Sequence, residues 1–366
     1  MKRLLALSAA LALLLISTPI AQASFTIYLT EPTHRQIDGQ FIDDELTQLL
    51  GISGRLGKLV FNPREGDRTW VIDPALIEDV TAMSGGYTLT SGTPGKGEAV
   101  AKSWLAQLKV VTASDNVIAM AYGNPSSYWV GQLSPHEANY ILTISQSRLA
   151  ALLGIPVDAK ASYHTNSKFY LSTADISSIK DDALSFAQTA SFVNPAKIDT
   201  YRLALIRLLN PNLSKDRRGY LIRDFTSAAY NQLHLVHLSP GKFTVTSTHQ
   251  NLPITLTNGF PTDIKVNLYV IPTNLKVEVG TLPEVVIPAN SKIQVMVPIT
   301  VLTSGTSGLN VELTSTNGNL LGDSVIYPLQ LSVISPVATW FTTGAAIVLF
   351  IAATIQSIRR IRRRQK

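Results

Sequence analysis

From about residue 243 to residue 333 the apolar side chains recur at every second position, and only an extended strand presents alternate residues to one face. Ile264, Val266, Leu268 and Val270 alternate with Lys265, Asn267 and Tyr269. The same period runs through Ile293, Val295, Val297, Ile299 and Val301, through Leu309, Val311 and Leu313, and through Tyr327, Leu329, Leu331 and Val333. Turn signals separate the runs at Asn258-Gly259, Pro272-Thr273-Asn274, Pro288-Ala289-Asn290 and Asn317-Gly318. About seven short strands with no helical stretch predict an immunoglobulin-like β-sandwich over residues 241–335. The chain has no cysteine, so no disulfide staples such a sandwich and its core must hold it.

Residues 24–240 read differently. Phe25 to Leu29, Trp70 to Ile72 and Asn116 to Tyr122 are strand-like, and each is followed by a segment of helical spacing. Repeated strand–helix units imply a parallel sheet covered by helices. Three clear strands fall short of the eight that close a barrel, so the expectation is an α/β domain, either a partial or reduced barrel or a small α/β layer, helix-rich over 160–236. Ser134-Pro135-His136-Glu137 forms a capping box for a helix that stops at Gly154. Pro240-Gly241 marks the boundary between the two domains.

The two ends predict an exported, anchored protein. Lys2 and Arg3, the apolar run Leu4 to Ile16 and the small-residue site Ala21-Gln22-Ala23 make residues 1–23 a cleavable leader. Val337 to Ile358 carries no charge, Trp340 and Phe341 lie near its start, and residues 359–366 form a basic tail. That pattern predicts one transmembrane helix over 337–358 with the tail inside, hence a single-pass cell-membrane protein with its N-terminus outside. Membrane lipids would be partners of the helix and tail. Without the tail and leader, 23 of the 31 basic residues remain against 25 acidic ones. Near-neutrality of the exported part excludes a nucleic-acid partner.

Candidate chemistry gathers at the strand ends, the edge where α/β active sites form. Glu31, Asp73 and Asn124 each lie just past a strand, and Asp73 before Pro74 also has the form of a helix N-cap. Tyr122, Tyr128 and Trp129 surround the loop "YGNPSSYW" as a possible sugar-stacking platform or as packing. Asp43-Asp44 and Asp181-Asp182 stand where helices are expected to begin, favoured by the macrodipole. The six histidines lack metal-binding spacing, and phosphate-loop, dinucleotide and nucleophile-elbow motifs are absent. No metal or cofactor is therefore expected. The glycine-rich stretch 84–97 reads as a mobile loop.

"FIDDEL", "GRLGKLV", "TWVIDPALIEDV", "MSGGY", "WLAQL" and "AMAYGNP" follow one another in an order that resembles an uncharacterised actinobacterial envelope family. "LPITLTNGFPTDIKVNLYV" and "VPITVLTSGTSGLNVELTSTNGNLLG" resemble its β domain. The resemblance implies a signal peptide, a region similar to polysaccharide-deacetylase barrels, an immunoglobulin-like domain, a C-terminal transmembrane helix and a gene beside the lipid II flippase. Asn124 stands where that family usually has Asp, and the β domain that often precedes the barrel region is absent.

Two functions follow. In the first, the protein is a non-catalytic binding or assembly factor for cell-wall (peptidoglycan precursor) processes, whose partner is an envelope protein or a cell-wall glycan. Its weak ligand-binding set is Glu31, Asp73, Tyr122, Asn124 and Trp129. In the second, it is a glycan hydrolase or deacetylase using Asp73 and Glu31. Carboxyl groups about 5 to 9.5 Å apart across an open cleft would favour hydrolysis, and burial would remove it.

Overall fold

The computed structural model describes residues 24–133, 135–157, 159–189, 195–333 and 336–364. These cluster into two compact units, divided at Ala183/Leu184, Ile198/Asp199 and Ala228/Ala229.

The first unit is built on a four-stranded sheet of β1 (Ser24–Leu29), β2 (Asp67–Ile72), β3 (Asn116–Met120) and β4 (Ala159–Ser162). All neighbours are parallel and their order in the sheet is their order in the chain. Between them run α1 (Glu45–Leu50), α2 (Arg55–Phe61), α3 (Pro74–Ser84), α4 (Glu98–Thr112), α5 (Ser127–Leu133) and α6 (Pro135–Leu153). Leu29, Trp70, Ile72 and Ala119 bury one sheet face against Leu50, Leu56, Leu76, Val80 and Trp104 of the helices. Tyr28 on β1 meets His164, just past β4, edge to face with ring centroids 5.5 Å apart. The sheet is therefore curled, so that its outer strands approach on the face away from the helices. After β4 come α7 (Thr173–Thr189), α8 (Pro195–Arg207) and α9 (Lys215–Leu233).

Residues 160–236 are helix-rich as expected, and Ala159–Ser162 adds a fourth strand whose four residues are too few for a visible period. Two local expectations need correction. Asp181 and Asp182 lie inside α7 rather than at its start, and Asp182 is tied by Thr226, whose hydroxyl donates to it at 2.7 Å. The stretch 84–97 is not slack. Phe41 donates its N–H to Thr88 (3.0 Å), Gly95 to Tyr87 (2.9 Å), and the Tyr87 hydroxyl reaches the Asp44 carboxylate.

The second unit is an immunoglobulin-like sandwich of two sheets. One holds β10 (Val285–Ile287), β8 (Ile264–Pro272), β12 (Gly305–Ser315), β13 (Val325–Leu331) and β6 (Phe243–Val245); the other holds β5 (Val236–Leu238), β7 (His249–Asn258), β11 (Ser291–Val301) and β9 (Val277–Val279). Leu252, Ile254 and Leu256 of β7, Val297 and Ile299 of β11, and Leu309, Val311 and Leu313 of β12 meet in one core. Asn258 closes a corner: its amide nitrogen lies 2.9, 3.1 and 3.0 Å from the carbonyls of Thr262, Ile287 and Pro288, and its Oδ1 accepts from Phe260 N–H at 2.8 Å.

The expected transmembrane helix, and with it the single-pass cell-membrane localisation, is overturned. Among the described residues no helix is long and apolar enough to cross a membrane. In α10 (Pro336–Arg364) the unbroken apolar run is Ala345 to Ala353, between Thr343-Gly344 and Thr354. At the helical rise that run is about 14 Å long, against about 30 Å of hydrocarbon. The leader (1–23), Ser134 of the capping box and the last two tail residues lie outside the described residues.

The sandwich core reaches beyond residue 243, because β5 pairs with β7 and the Tyr327 hydroxyl donates to the Ser239 carbonyl at 2.6 Å. A fragment of residues 229–333 is expected to unfold cooperatively at a higher temperature than one of residues 243–333. Equal midpoints by circular dichroism would show β5 to be dispensable.

Candidate functional site

Trp70, Val71 and Ile72 carry β2 into the core, and the next residue is a carboxylate. Pro74 has no N–H and a helix-compatible φ, so it takes the first helical position. Asp73, at φ −77° and ψ 114°, is the N-cap, its Oδ1 accepting from Ala75 N–H at 2.9 Å. The same oxygen accepts from Gly123 N–H at 2.8 Å, in the turn after β3. Gly123 has φ +76°, and a Cβ there would lie 3.1 Å from Arg207 Cγ and 3.2 Å from Arg207 Cα, so only glycine fits. Asp73 is completely buried. Burial raises its carboxyl to about 7, against the two amides and Arg207, which lower it. Among the described residues its Oδ2 has no hydrogen-bond partner, and neither do Thr30 Oγ1 past β1 and Asn124 Oδ1 past β3.

The helix that Asp73 starts carries Glu78 and Asp79 to one arginine. Arg207 closes α8 and is buried; it donates to Asp79 Oδ1 (2.9 Å), Thr33 Oγ1 (3.1 Å), Glu78 Oε2 (3.3 Å) and the Tyr122 hydroxyl. The Tyr122 hydroxyl donates a hydrogen bond to Glu78, and Arg148 donates to the other oxygen of Glu78. Arg35 Nε stands 3.1 Å from Asp79 Oδ1. Three guanidiniums thus share two carboxylates. Burial, with Glu78 and Asp79 adding to it, holds the Tyr122 phenol protonated far above its ordinary range.

Above this network lies a cavity of about 340 Å³ at the C-terminal ends of the strands. Arg35, Arg148, Arg207, Glu78, Asp38 and Asp224 line it together with the apolar Leu203, Leu221 and Phe225. Its volume lies at the small end of the range for small-molecule sites.

The residues expected at a site are only partly brought together. Asp73, Tyr122 and Asn124 are neighbours beneath or beside the cavity, and Tyr122 is buried to its hydroxyl rather than offered as a stacking face. Asn124 adopts φ 45°, which Asn tolerates better than most side chains. Glu31 does not join them: it pairs with Arg55 and lies 3.7 Å from His34 Nε2. Burial opposes its charged form, but His34 and Arg55 outweigh burial and hold it ionised. Trp129 packs elsewhere, its indole N–H on the Phe169 carbonyl (3.1 Å) and its ring against Tyr128 and Phe169. Glu78, Asp79, Arg148 and Arg207 are absent from the sequence-based set. The signal for the first two is two adjacent acids within the otherwise apolar run Ala75–Val80, where charge implies a buried partner.

His34, Asp43 and Glu45 place one ligand atom each within 4.8 Å of one another, a metal-like grouping. Arg217 already bridges it, 2.8 Å from Asp43 and 2.9 Å from Glu45. Burial would lower the pKa of His34, yet its bonds to Asp43 and Glu31 raise it to about 9. Arg217 supplies the positive charge there.

Residues 132–365 match the family described as "Family of unknown function (DUF6049)", and the chain belongs to that family. No curated protein matches it. Similar solved structures include WR4, a C. elegans MSP family member, at 11% identity over 26% of this chain and 97% of that one, with a TM-score of 0.22. The ASH / PapD-like domain 7 of human CEP192 is 14% identical over 27% and 85%, TM-score 0.22. The E. coli chaperone DraB is 15% identical over 28% and 55%, TM-score 0.20.

Because Asp73 titrates near 7 when folded and near 3.8 when unfolded, the native state holds a proton that the unfolded chain releases between those values. Native stability therefore falls as pH rises from about 4 to about 7 and is level above. Relative to Asp73→Asn, which keeps the Oδ1 acceptor, the natural protein should lose up to about 1.4 kcal/mol per pH unit in that window. Parallel urea-denaturation curves at each pH would refute a protonated Asp73. Arg207→Met, which takes one buried cationic partner from each of Asp79 and Glu78, should cost about 3–5 kcal/mol by the same measurement.

Proposed function

We propose that this chain is a ligand-binding protein of the cell envelope, acting as a binding or assembly factor in cell-wall processes and not as a glycan hydrolase or deacetylase. The observation that carries this reading is the complete burial of Asp73, whose Oδ1 is occupied by the amides of Ala75 and Gly123. A hydrolase needs an acid and a base facing each other across the bond to be cleaved, and a general base must come within hydrogen-bond reach of its substrate. Glu31 meets neither need, since its carboxylate is held by Arg55 beside His34. What faces the cavity instead is a fixed array of arginines, tyrosine and acids, suited to recognition. The likeness of the sequence to envelope proteins supports the setting.

The test mixes the purified full-length protein with soluble fragments of cell-wall glycan. Bound, chemically unchanged fragments are expected, with Asp73→Asn and Glu31→Gln binding as the natural protein does once their melting temperatures confirm folding. New reducing ends or free acetate by mass spectrometry, lost in those two variants, would assign the hydrolytic function instead.

A further inference from the structure

The cavity's own donors narrow the ligand. Arg35 engages Asp79 through Nε alone, and Arg148 engages Glu78 through Nη1 alone. Among the described residues, the two Nη groups of Arg35 and the Nε and Nη2 of Arg148 donate to no protein acceptor. Both side chains are reachable yet held, at 22% and 32% exposure. A guanidinium fixed along one edge offers its other N–H groups in a planar fork that matches carboxylate geometry.

The charge on this side is small. Arg35, Arg148 and Arg207 share Glu78 and Asp79, which leaves one unit of positive charge. Asp38 and Asp224 also line the cavity and would repel a doubly charged anion, while their oxygens can accept from hydroxyl or amide N–H groups. Asp224 Oδ2 takes Ile37 N–H at 3.1 Å. Leu203, Leu221 and Phe225 supply an apolar wall for a ring or methyl group.

We infer that the cavity binds a small, singly charged carboxylate rich in hydrogen-bond donors, its carboxylate held by Arg35 and Arg148 and its donors facing Asp38 and Asp224. Sugar acids and the C-termini of short peptides both have this chemistry. The inference builds on the binding reading above.

Calorimetric titration of the full chain with four probes separates the cases: N-acetylmuramic acid, N-acetylglucosamine (the same sugar without the lactyl carboxylate), D-alanyl-D-alanine and inorganic phosphate. At least one carboxylate probe is expected to bind about ten-fold or more tighter than N-acetylglucosamine and phosphate, and the one that does identifies the source. Arg35→Gln and Arg148→Gln should each weaken it about ten-fold or more. Arg148→Lys should recover only part of the loss, and the exposed control Lys102→Gln should change nothing. Asp79 and Glu78 keep Arg207 in both glutamine variants, so unchanged melting temperatures are expected. The inference is overturned if no probe binds, if phosphate binds tightest, or if the glutamine variants bind as well as the natural protein. Binding of N-acetylglucosamine as tight as that of the tightest carboxylate probe overturns it too, while leaving the binding reading intact; only turnover of a probe would overturn that reading.

Discussion

One carboxylate oxygen holds the strand ends of the first unit in place. Asp73 Oδ1 takes the amide that begins α3 and the amide of Gly123 after β3, while Asp73 N–H donates to the Leu29 carbonyl of β1 at 2.9 Å. Three consecutive strands are thereby joined at the edge where the cavity opens. With Oδ1 so used and the side chain buried, Asp73 acts on the fold through backbone groups. A position that looks like that of a working acid in an α/β fold is here a structural clamp.

The clamp has consequences further up. Starting α3 at Pro74 sets which turn of that helix meets Arg207, and so delivers Glu78 and Asp79 together. Gathering three arginines, with Arg207 buried, around two acids is costly unless each keeps a partner. Here Thr33 and Tyr122 fill the gaps between the ions: Thr33 donates to Asp79 at 2.8 Å and Tyr122 donates to Glu78. The result is a rigid, slightly positive floor whose outer arginines still have donors to offer. The His34–Asp43–Arg217 cluster follows the same rule, with an internal cation where acids converge.

Much of the architecture was legible in the sequence. Strict alternation through Ile293–Val301 or Leu309–Leu313 specifies strand, buried face and sandwich, because a period of two cannot bury one face in any other way. Asp73-Pro74 likewise announced a helix start, since both residues act through backbone groups close to them in the chain. β4 was hidden because its four residues show no period, and Asp181-Asp182 misled because acids favour helix starts without being confined to them. The C-terminal segment was read from its lack of charge, although Thr343, Thr354, Gln356 and Ser357 interrupt its apolar character.

By itself the sequence determined the local things: strand period, turn chemistry, the cap at Asp73, and the absence of disulfides. Only the tertiary structure decided the site. Arg207 lies 128 residues from Asp79, and no spacing rule connects a helix-ending arginine to acids so far away. Glu31 and Asp73 look equivalent in the chain, each just past a strand. Packing separated them, turning one into a buried clamp and the other into half of an ion pair with Arg55. Propensity and periodicity act over a few residues, whereas burial and charge pairing are set by whichever side chains the folded chain brings within a few ångströms.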